Sequence, residues 1–584
     1  MNRLCLIVIF FVFIANAYAA NLQPISRIQG TKQTSPFADK KVSVKGIVIG
    51  DFQNSNQLKG FFIQSLNPDK NKYSSEGLFI KDSKHKVDVG DIVKVTGQVS
   101  EEHKITHLKN VTAVEKLKKT SKLPKPIAIP LPLKDFDLET IEGMRVTLAK
   151  PSVISDQYNY IKFGELVVSS KLLMNPTSIV LPGKQAALQK KRNNNNRLII
   201  DDGSTMVFPQ PFKANAQQSL VLGYKLQTIG VMHYSYDQYK LEPTQALAIT
   251  KPKNVLRSKP NKVKGKIKIA SFNLKNFFTT LDKGQQECGP SANFFCRGAD
   301  SKAEYQRQLQ KLVTTINTAD ADVVGLQELE NNTKSIKALV MGLNKASYKN
   351  KWSSIDTGIL GQDVIKVGLI YQTETVKPMG GYALLNSKSD PEFEANRNRV
   401  VIAQSFTDNE NHSFTLAVVH LKSKNCRDVE GINKNKGDGQ ACYNATRSKV
   451  AHQIVKWLKS NPTKNKSKAQ IIIGDFNSYQ KEDPIQILAR GGFENLAEDY
   501  LATDNWSTSF RGTLGAIDHI LVNPSARQSV QGFTQWHINS THNELFDYNL
   551  EKLDKTLKKP DDFYQNSPFS SSDHDWVMAG FDFR

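Results

Sequence analysis

Apolar and polar positions alternate from residue 41 onward. KVSVKGIVIGDF (41–52) is followed by GFFIQ, GLFIKD, GDIVKVTGQVSE and HKITHLKNVTAVEKL, with Gly, Asn, Asp and Ser between them. Period-two runs broken by turn residues predict strands, and about five at this spacing predict a small Greek-key barrel. A Pro/Lys stretch, KLPKPIAIPLP (122–132), precedes a second β-rich region in which MRVTL, VVSS and RLIIDDG repeat the rhythm. GDIVKVTGQVSEEHKITHL and GYKLQTIGVMHYSYDQYKLEP read as loose copies of one unit: a strand, a glycine turn and a partner strand. A tandem barrel and one elaborated barrel both satisfy this pattern. QKKRNNNNR (189–197) predicts a disordered basic loop. KPKNVLRSKPNKVKGK (251–266) has no core pattern and predicts a solvated linker.

The period then changes. KIKIASFN, DVVGLQELE, KVGLIYQ, FTLAVVHLKSK and QIIIGDFNSY alternate with helical stretches such as AEYQRQLQKLVTTINTA, where Leu309, Leu312, Val313 and Ile316 share a face, and NATRSKVAHQIVKWLKSN. An α/β domain of about 320 residues follows. The boundaries read 1–19 signal peptide, 20–121 OB-like barrel, 133–250 second β-rich, OB-like region, 251–266 basic linker and 267–584 α/β domain.

Charge and cysteines refine this outline. Residues 267–584 carry about +2 of the net +22, so nearly all the excess lies in the first half. A basic half joined to a near-neutral half suits a holder of a polyanion joined to a unit that acts on it. Arg3, the apolar run Leu4–Ile14 and Ala17-Tyr18-Ala19 have the layout of a secretory signal peptide. Export to the periplasm or the medium is therefore expected, without stable membrane association; oligomeric state is not readable. Cys5 would leave with the signal. The remaining Cys288, Cys296, Cys426 and Cys442 form an even set in an oxidising compartment, and the local pairs 288–296 and 426–442 are the simplest of three connectivities.

Polar residues recur where the apolar strands of the second half end: Asn273, Glu328, His420, Asp475, Asn477, Asp518, and Asp573 with His574. Singly, each has a structural reading as a helix cap, a turn acid or a core histidine. Jointly, strands of one sheet would gather them on one rim, where burying so many polar groups is costly unless they serve a ligand. Oxygen-rich donors suit a hard cation such as Mg²⁺.

The order N, QE, H, GDFN, D-x-I-L, SDH resembles the endonuclease/exonuclease/phosphatase family, the DNase I-like enzymes, over residues 266–584. VVHLKSKNC, DGQACYNATR and NRVVIAQSF, with the first-half strands, resemble secreted bacterial nucleases in which an OB-like barrel precedes the catalytic domain. The resemblance implies a four-layered α/β sandwich. It implies Glu328 as main metal ligand with Asn273 and Asp573 near the ion, which would be Mg²⁺, with Ca²⁺ or Mn²⁺ as alternatives. Asp475 would activate a water, Asn477 and Arg399 would bind phosphate, and Asp518 would orient His574, with His420 as the second histidine. Arg397 competes with Arg399, and His519 reads as structural. Phe61, Phe62, Tyr234 and Tyr236 are candidates for stacking bases, with core packing the better reading of the two phenylalanines. The expected function is a secreted metal-dependent nuclease acting on DNA, with RNA as a further substrate. The alternative is a phosphodiesterase or phosphatase acting on a lipid or small ester, like the sphingomyelinases.

Overall fold

A computed structural model describes residues 21–207, 220–253, 255–348, 351–501, 504–551, 558–559 and 563–584. The expected signal peptide lies outside the described residues. No helix among the described residues is long and apolar enough to cross a membrane.

The first five long strands close on themselves. Lys41–Phe52 pairs with Gly60–Gln64, which pairs with Gly77–Ile80; that strand runs parallel to Ile105–Lys119, which pairs with Asp91–Glu102, and the last returns to Lys41–Phe52. Alternation along these strands serves two surfaces. Val44, Phe61, Ile63, Val93 and Val95 fill the barrel, while Ile47, Ile49, Phe62 and Phe79 point outward and pack with Val231 of the next sheet. Phe61 and Phe62 are thus core residues, Tyr234 is half-buried, and Tyr236 is exposed.

The second β region is a nine-stranded sheet running from Ala248–Thr250 at one edge to Ile127–Ile129 at the other. The two repeated phrases do form matching hairpins, Asp91–Glu102 with Ile105–Lys119 and Ile229–Ser235 with Gln238–Pro243. Their turns are not at glycine, however. His103-Lys104 and Tyr236-Asp237 carry them, all four with positive φ, as a tight two-residue hairpin requires. The tips meet through Lys104 and Asp237, 2.9 Å apart.

Two expectations fail here. Residues 189–194 of the basic stretch belong to a helix, Lys184–Asn194, not a disordered loop: Ala186 is buried, Gln189 donates to Asn193, Asn193 donates to the carbonyl of Met174, and Lys191 and Arg192 fall in the last turn, where the helix dipole favours them. Nor is 251–266 a solvated tether. Val255 and Leu256 pack on the core of the second sheet, Val263 packs on the following unit, and Trp536 Nε1 donates to the carbonyl of Arg257. Its apolar residues are too few to form a pattern but enough to anchor the strap.

From Ile267 onward two six-stranded sheets lie face to face. One has the order Trp352–Ser354, Ile365–Gln372, Val323–Glu330, Ile267–Phe277, Trp576–Phe581, Val530–Trp536. The other runs Val376–Leu385, Val401–Asp408, Ser413–His420, Ala469–Asp475, Asp518–Val522, Glu494–Asn495. Their inner faces share one core that includes Ile269, Val323, Val418, Ile471, Ile473 and Ile520. Helices Lys302–Ala319 and Ser335–Ser347 cover one outer face, and Asn444–Lys459 and Asp483–Arg490 the other. The central strands are apolar on both faces because both are covered. The architecture is a four-layered α/β sandwich preceded by β-rich units.

The second β sheet is fastened to the sandwich. Leu514 N–H donates to Leu173 and its carbonyl accepts from Asn175, and both Trp506 and Leu514 belong to the core of the nine-stranded sheet. Thr177 donates to buried Glu482 at 2.8 Å.

Candidate active site

Register places the site. His420 is opposite Asp475, and Asp475 is opposite Asp518, so three adjacent strand ends about 4.8 Å apart carry three ionisable side chains. Gly474 makes this possible. Its φ is +143°, and a Cβ there would lie 2.0 Å from the carbonyl oxygen of Val419. Only glycine lets the strand hug its parallel partner just before the aspartate.

From the facing sheet come Asn273 and Glu328. Strand pairing shifts register between Asn273 and Phe277, and Lys275, Asn276 and Glu328 all have positive φ. This local strain re-aims Glu328, which is half-buried between buried Gln327 and Leu329. Its Oε2 accepts from Asn276 N–H at 2.9 Å and its Oε1 from Asn273 Nδ2 at 3.2 Å.

Asp475 Oδ2 is the hub. Asn273 Nδ2 and Asn477 Nδ2 each approach it at 3.3 Å, His420 Nε2 lies at 3.3 Å and His574 Nε2 at 4.0 Å. Its other oxygen accepts Asn477 N–H at 2.8 Å, which closes the turn over buried Phe476. Burial opposes the charge on Asp475, but the hydrogen bond and charge of His420, the charge of His574 and the Asn477 N–H outweigh it and hold the carboxyl well below the usual range. Asp518 Oδ2 accepts from His574 Nδ1 at 2.7 Å and from Ser507 Oγ at 2.6 Å. Burial pushes Asp518 up to about 6 against the pull of His574. His574 loses hydration, yet Asp518 and Asp475 keep it protonated well above its ordinary value.

Asp573 is exposed, one residue before His574. Arg399 faces Asp363 at 3.0 Å and donates to the carbonyl of Leu421, just past His420, whereas Arg397 pairs with Glu394 and adds its charge beside Lys422. His519 is structural, bonded to Asn495 and to the carbonyl of Ser478. Both expected disulfides, Cys288–Cys296 and Cys426–Cys442, are formed.

Several contributors were not foreseen. Ser507 fixes Asp518, Ser572 donates to the carbonyl of Asn273, and Asn539 donates to that of His574. Arg297, next to Cys296 of the small disulfide loop, adds its charge to those of Arg399 and Lys422 around Asp363. Ser572 and Arg297 adjoin residues the sequence singled out, which is a usable signal; Ser507 and Asn539 carry none.

The donors fit a divalent cation. Glu328 offers a half-buried carboxylate and Asp573 an exposed one, oxygen donors of the kind a hard ion needs, while buried Asn273 turns its Nδ2 to Glu328 and its Oδ1 to Lys275 N–H, so its amide would have to rotate to present oxygen. Asp475, Asp518 and His574 also offer ligand atoms within 4.8 Å of one another, close enough for a metal. The 2.7 Å His574–Asp518 contact is, however, a hydrogen-bond length, so a proton already occupies that space.

The chain matches the model described as "Domain of unknown function (DUF8508)" over residues 135–253 and that of the "Endonuclease/Exonuclease/phosphatase family" over 270–574. No curated protein matches it. Similar solved structures include the human Nocturnin catalytic domain with bound sulfate (15% identity, 56% of this chain and 95% of that one, TM-score 0.34). They also include D. rerio TDP2 complexed with single-strand DNA product (15%, 54% and 98%, TM-score 0.32). A third is a mannosyl-6-phosphatase of Bacteroides thetaiotaomicron (16%, 54% and 100%, TM-score 0.33). With the family model spanning more than half of its length, the chain belongs to the endonuclease/exonuclease/phosphatase, or DNase I-like, family.

Proposed function

We propose that the protein is a secreted, divalent-metal-dependent nuclease that hydrolyses phosphodiester bonds of DNA, with RNA as a further substrate. Phosphoester hydrolysis comes with the family; the polymer is our reading. One observation carries it: two amides and two imidazoles from both sheets surround the single oxygen Asp475 Oδ2.

In this reading Asp475 orients a water and takes its proton as the new P–O bond forms and the bond from phosphorus to the leaving strand's oxygen breaks, that oxygen taking a proton from a histidine. Asn477, locked by its N–H to the same carboxylate, fixes the attack angle. His574, kept charged by Asp518, donates to a phosphate oxygen, and His420 either stabilises the phosphorane or protonates the leaving oxygen. Arg399, Arg297 and Lys422 hold flanking phosphates. Glu328, Asn273 and Asp573 would hold Mg²⁺, with Ca²⁺ or Mn²⁺ as alternatives. When bound, the ion supplies positive charge against the phosphoryl oxygens. The basic first half favours a polyanionic polymer over a lipid head group. The closed five-stranded ring, with its third strand parallel to its fifth, supports an OB-like holder of single strands.

Purified protein is incubated with plasmid and with RNA, in Mg²⁺ or EDTA, beside Asp475→Ala. Strand scission only with metal, and a loss of at least about 10³-fold in the variant, is expected. Intact polymers under every condition, with turnover of a phospholipid head group, would overturn the assignment.

A further inference from the structure

A cleft of about 490 Å³ opens in the second β unit, within the region matched by the domain of unknown function and away from the Asp475 hub. Its size suits one planar ligand group. Leu138, Val167 and Leu198 form its floor. Tyr158 stands at its edge with 85% of its surface in water, an arrangement that exposes a large ring to no structural end. The main chain under the ring is held, because Tyr158 N–H donates to Asp156 Oδ1 at 3.0 Å. The Asn194 and Gln238 amides supply paired donors and acceptors. Tyr239 lines the wall with its hydroxyl committed to Glu139.

The surroundings select among ligands. Lys190, Lys191 and Arg192 are exposed near the C-terminal end of the helix whose last residue, Asn194, lines the cleft. On the other side, Arg197 pairs with Asp156 at 3.1 Å and donates to the carbonyl of Arg511 at 3.1 Å. Arg511 and Phe510, the latter 59% exposed, form the tip of the hairpin Thr508–Phe510/Thr513–Gly515. Gly512 completes that tip with φ +73°, a conformation that favours glycine, and brings the turn against the Asp156–Arg197 pair. Arg511 lies seven residue steps from Asp518, a reach of at most about 25 Å. A ring platform with amides, its two carboxylates Asp156 and Glu165 paired with Arg197 and Lys240, flanked by exposed cations of the helix and linked to the catalytic rim through the hairpin, matches one building block: a base on a phosphate backbone.

We propose that this cleft is a nucleobase subsite. It takes one unpaired base of a strand whose scissile phosphate lies at Asp475, with Tyr158 stacking on the base, Asn194 and Gln238 meeting its edge, and Lys190, Lys191, Arg192 and Arg511 following the backbone. The proposal rests on the nuclease reading and assigns that reading a single-stranded flank.

The test compares full-length parent, Tyr158→Ala, Tyr158→Trp and, as control, Tyr73→Ala, which removes an exposed ring on the barrel far from both sites in sequence. Substrates are a single-stranded oligonucleotide, the same oligonucleotide with abasic positions flanking the cut, and bis(4-nitrophenyl) phosphate. Loss of a base stack predicts that Tyr158→Ala lowers kcat/KM on the intact oligonucleotide by about 5- to 150-fold. The loss on the abasic strand and on the small ester should be at least fivefold smaller, Tyr158→Trp should restore the rate, and Tyr73→Ala should match the parent. Equal rates for Tyr158→Ala and parent on the oligonucleotide, or an equal loss on all three substrates, overturn the subsite while leaving the nuclease intact. Competition by a monosaccharide and not by a nucleotide also overturns it. A parent that hydrolyses the small ester but leaves every oligonucleotide whole overturns the nuclease reading, and the subsite with it.

Discussion

Replacing Glu482 by Gln removes one charge from the junction between the second β unit and the sandwich while keeping shape. Glu482 has no solvent exposure. It faces the Lys424 ammonium, accepts from Thr177 at 2.8 Å and lies within the field of Arg447, itself fully buried. Two unit charges about 4 Å apart at an effective dielectric near 20 attract by about 4 kcal/mol, and breaking buried pairs costs about 3–5 kcal/mol. Lys424 has an escape. Burial already lowers it to about 8 with Glu482 in place, so without that partner it sheds its proton near neutrality and limits the damage. We therefore expect a loss of about 3 kcal/mol at pH 7, or about 6–12 °C in the melting of this unit. Differential scanning calorimetry of the full chain measures it. At pH 9.5 the parent's Lys424 is neutral as well, and the gap should shrink. A drop below 2 °C at pH 7, or the same gap at both pH values, would refute the reasoning.

Asp518→Asn should lower kcat on DNA by about 10²–10⁴-fold with little change in KM, because it leaves His574 without the charge that orients it; an unchanged kcat in a steady-state assay would count against the role. Gly474→Ala should yield no stable folded protein, since no backbone shift smaller than breaking the Val419–Gly474 pairing clears a 2.0 Å contact; a native circular dichroism spectrum and melt would contradict this. Glu142 is buried, with one carboxylate oxygen lacking a hydrogen-bond partner among the described residues, and burial pushes it up to about 8, with Glu139 adding to the effect. Between about pH 4.5 and 8 the folded chain therefore keeps a proton that the unfolded chain has released, so stability falls as pH rises across that window. Glu142→Gln should flatten this fall and leave the protein about 2–4 kcal/mol more stable than the parent at pH 8.5 by denaturant titration.

The rim of the sandwich was readable because its residues follow strongly apolar strands: the period placed His420 and Asp475 at strand ends, and pairing did the rest. Glu328 was readable by type but not by pose, since its positive φ arises from a register break that no pattern announces. Ser507 was unreadable: a serine among ordinary loop residues gains its role only because a hairpin folds back over Asp518. The basic stretch at 189–197 misled because asparagine and charge signal disorder by composition, while tertiary contacts from Asn193 and Ala186 decide its helix. The strap at 251–266 hid its anchors among lysines and prolines in the same way.

Trp506 and Leu514 bury their side chains among residues of the preceding sheet while Ser507, lying between them in sequence, grips Asp518. The cut that sequence suggests at Ile267 is therefore unsafe for expression work. A fragment starting there would leave an indole and an isobutyl group wet, loosen the loop carrying the serine, and return a hydrolase that folds in outline yet lacks a rigid Asp518–His574 couple.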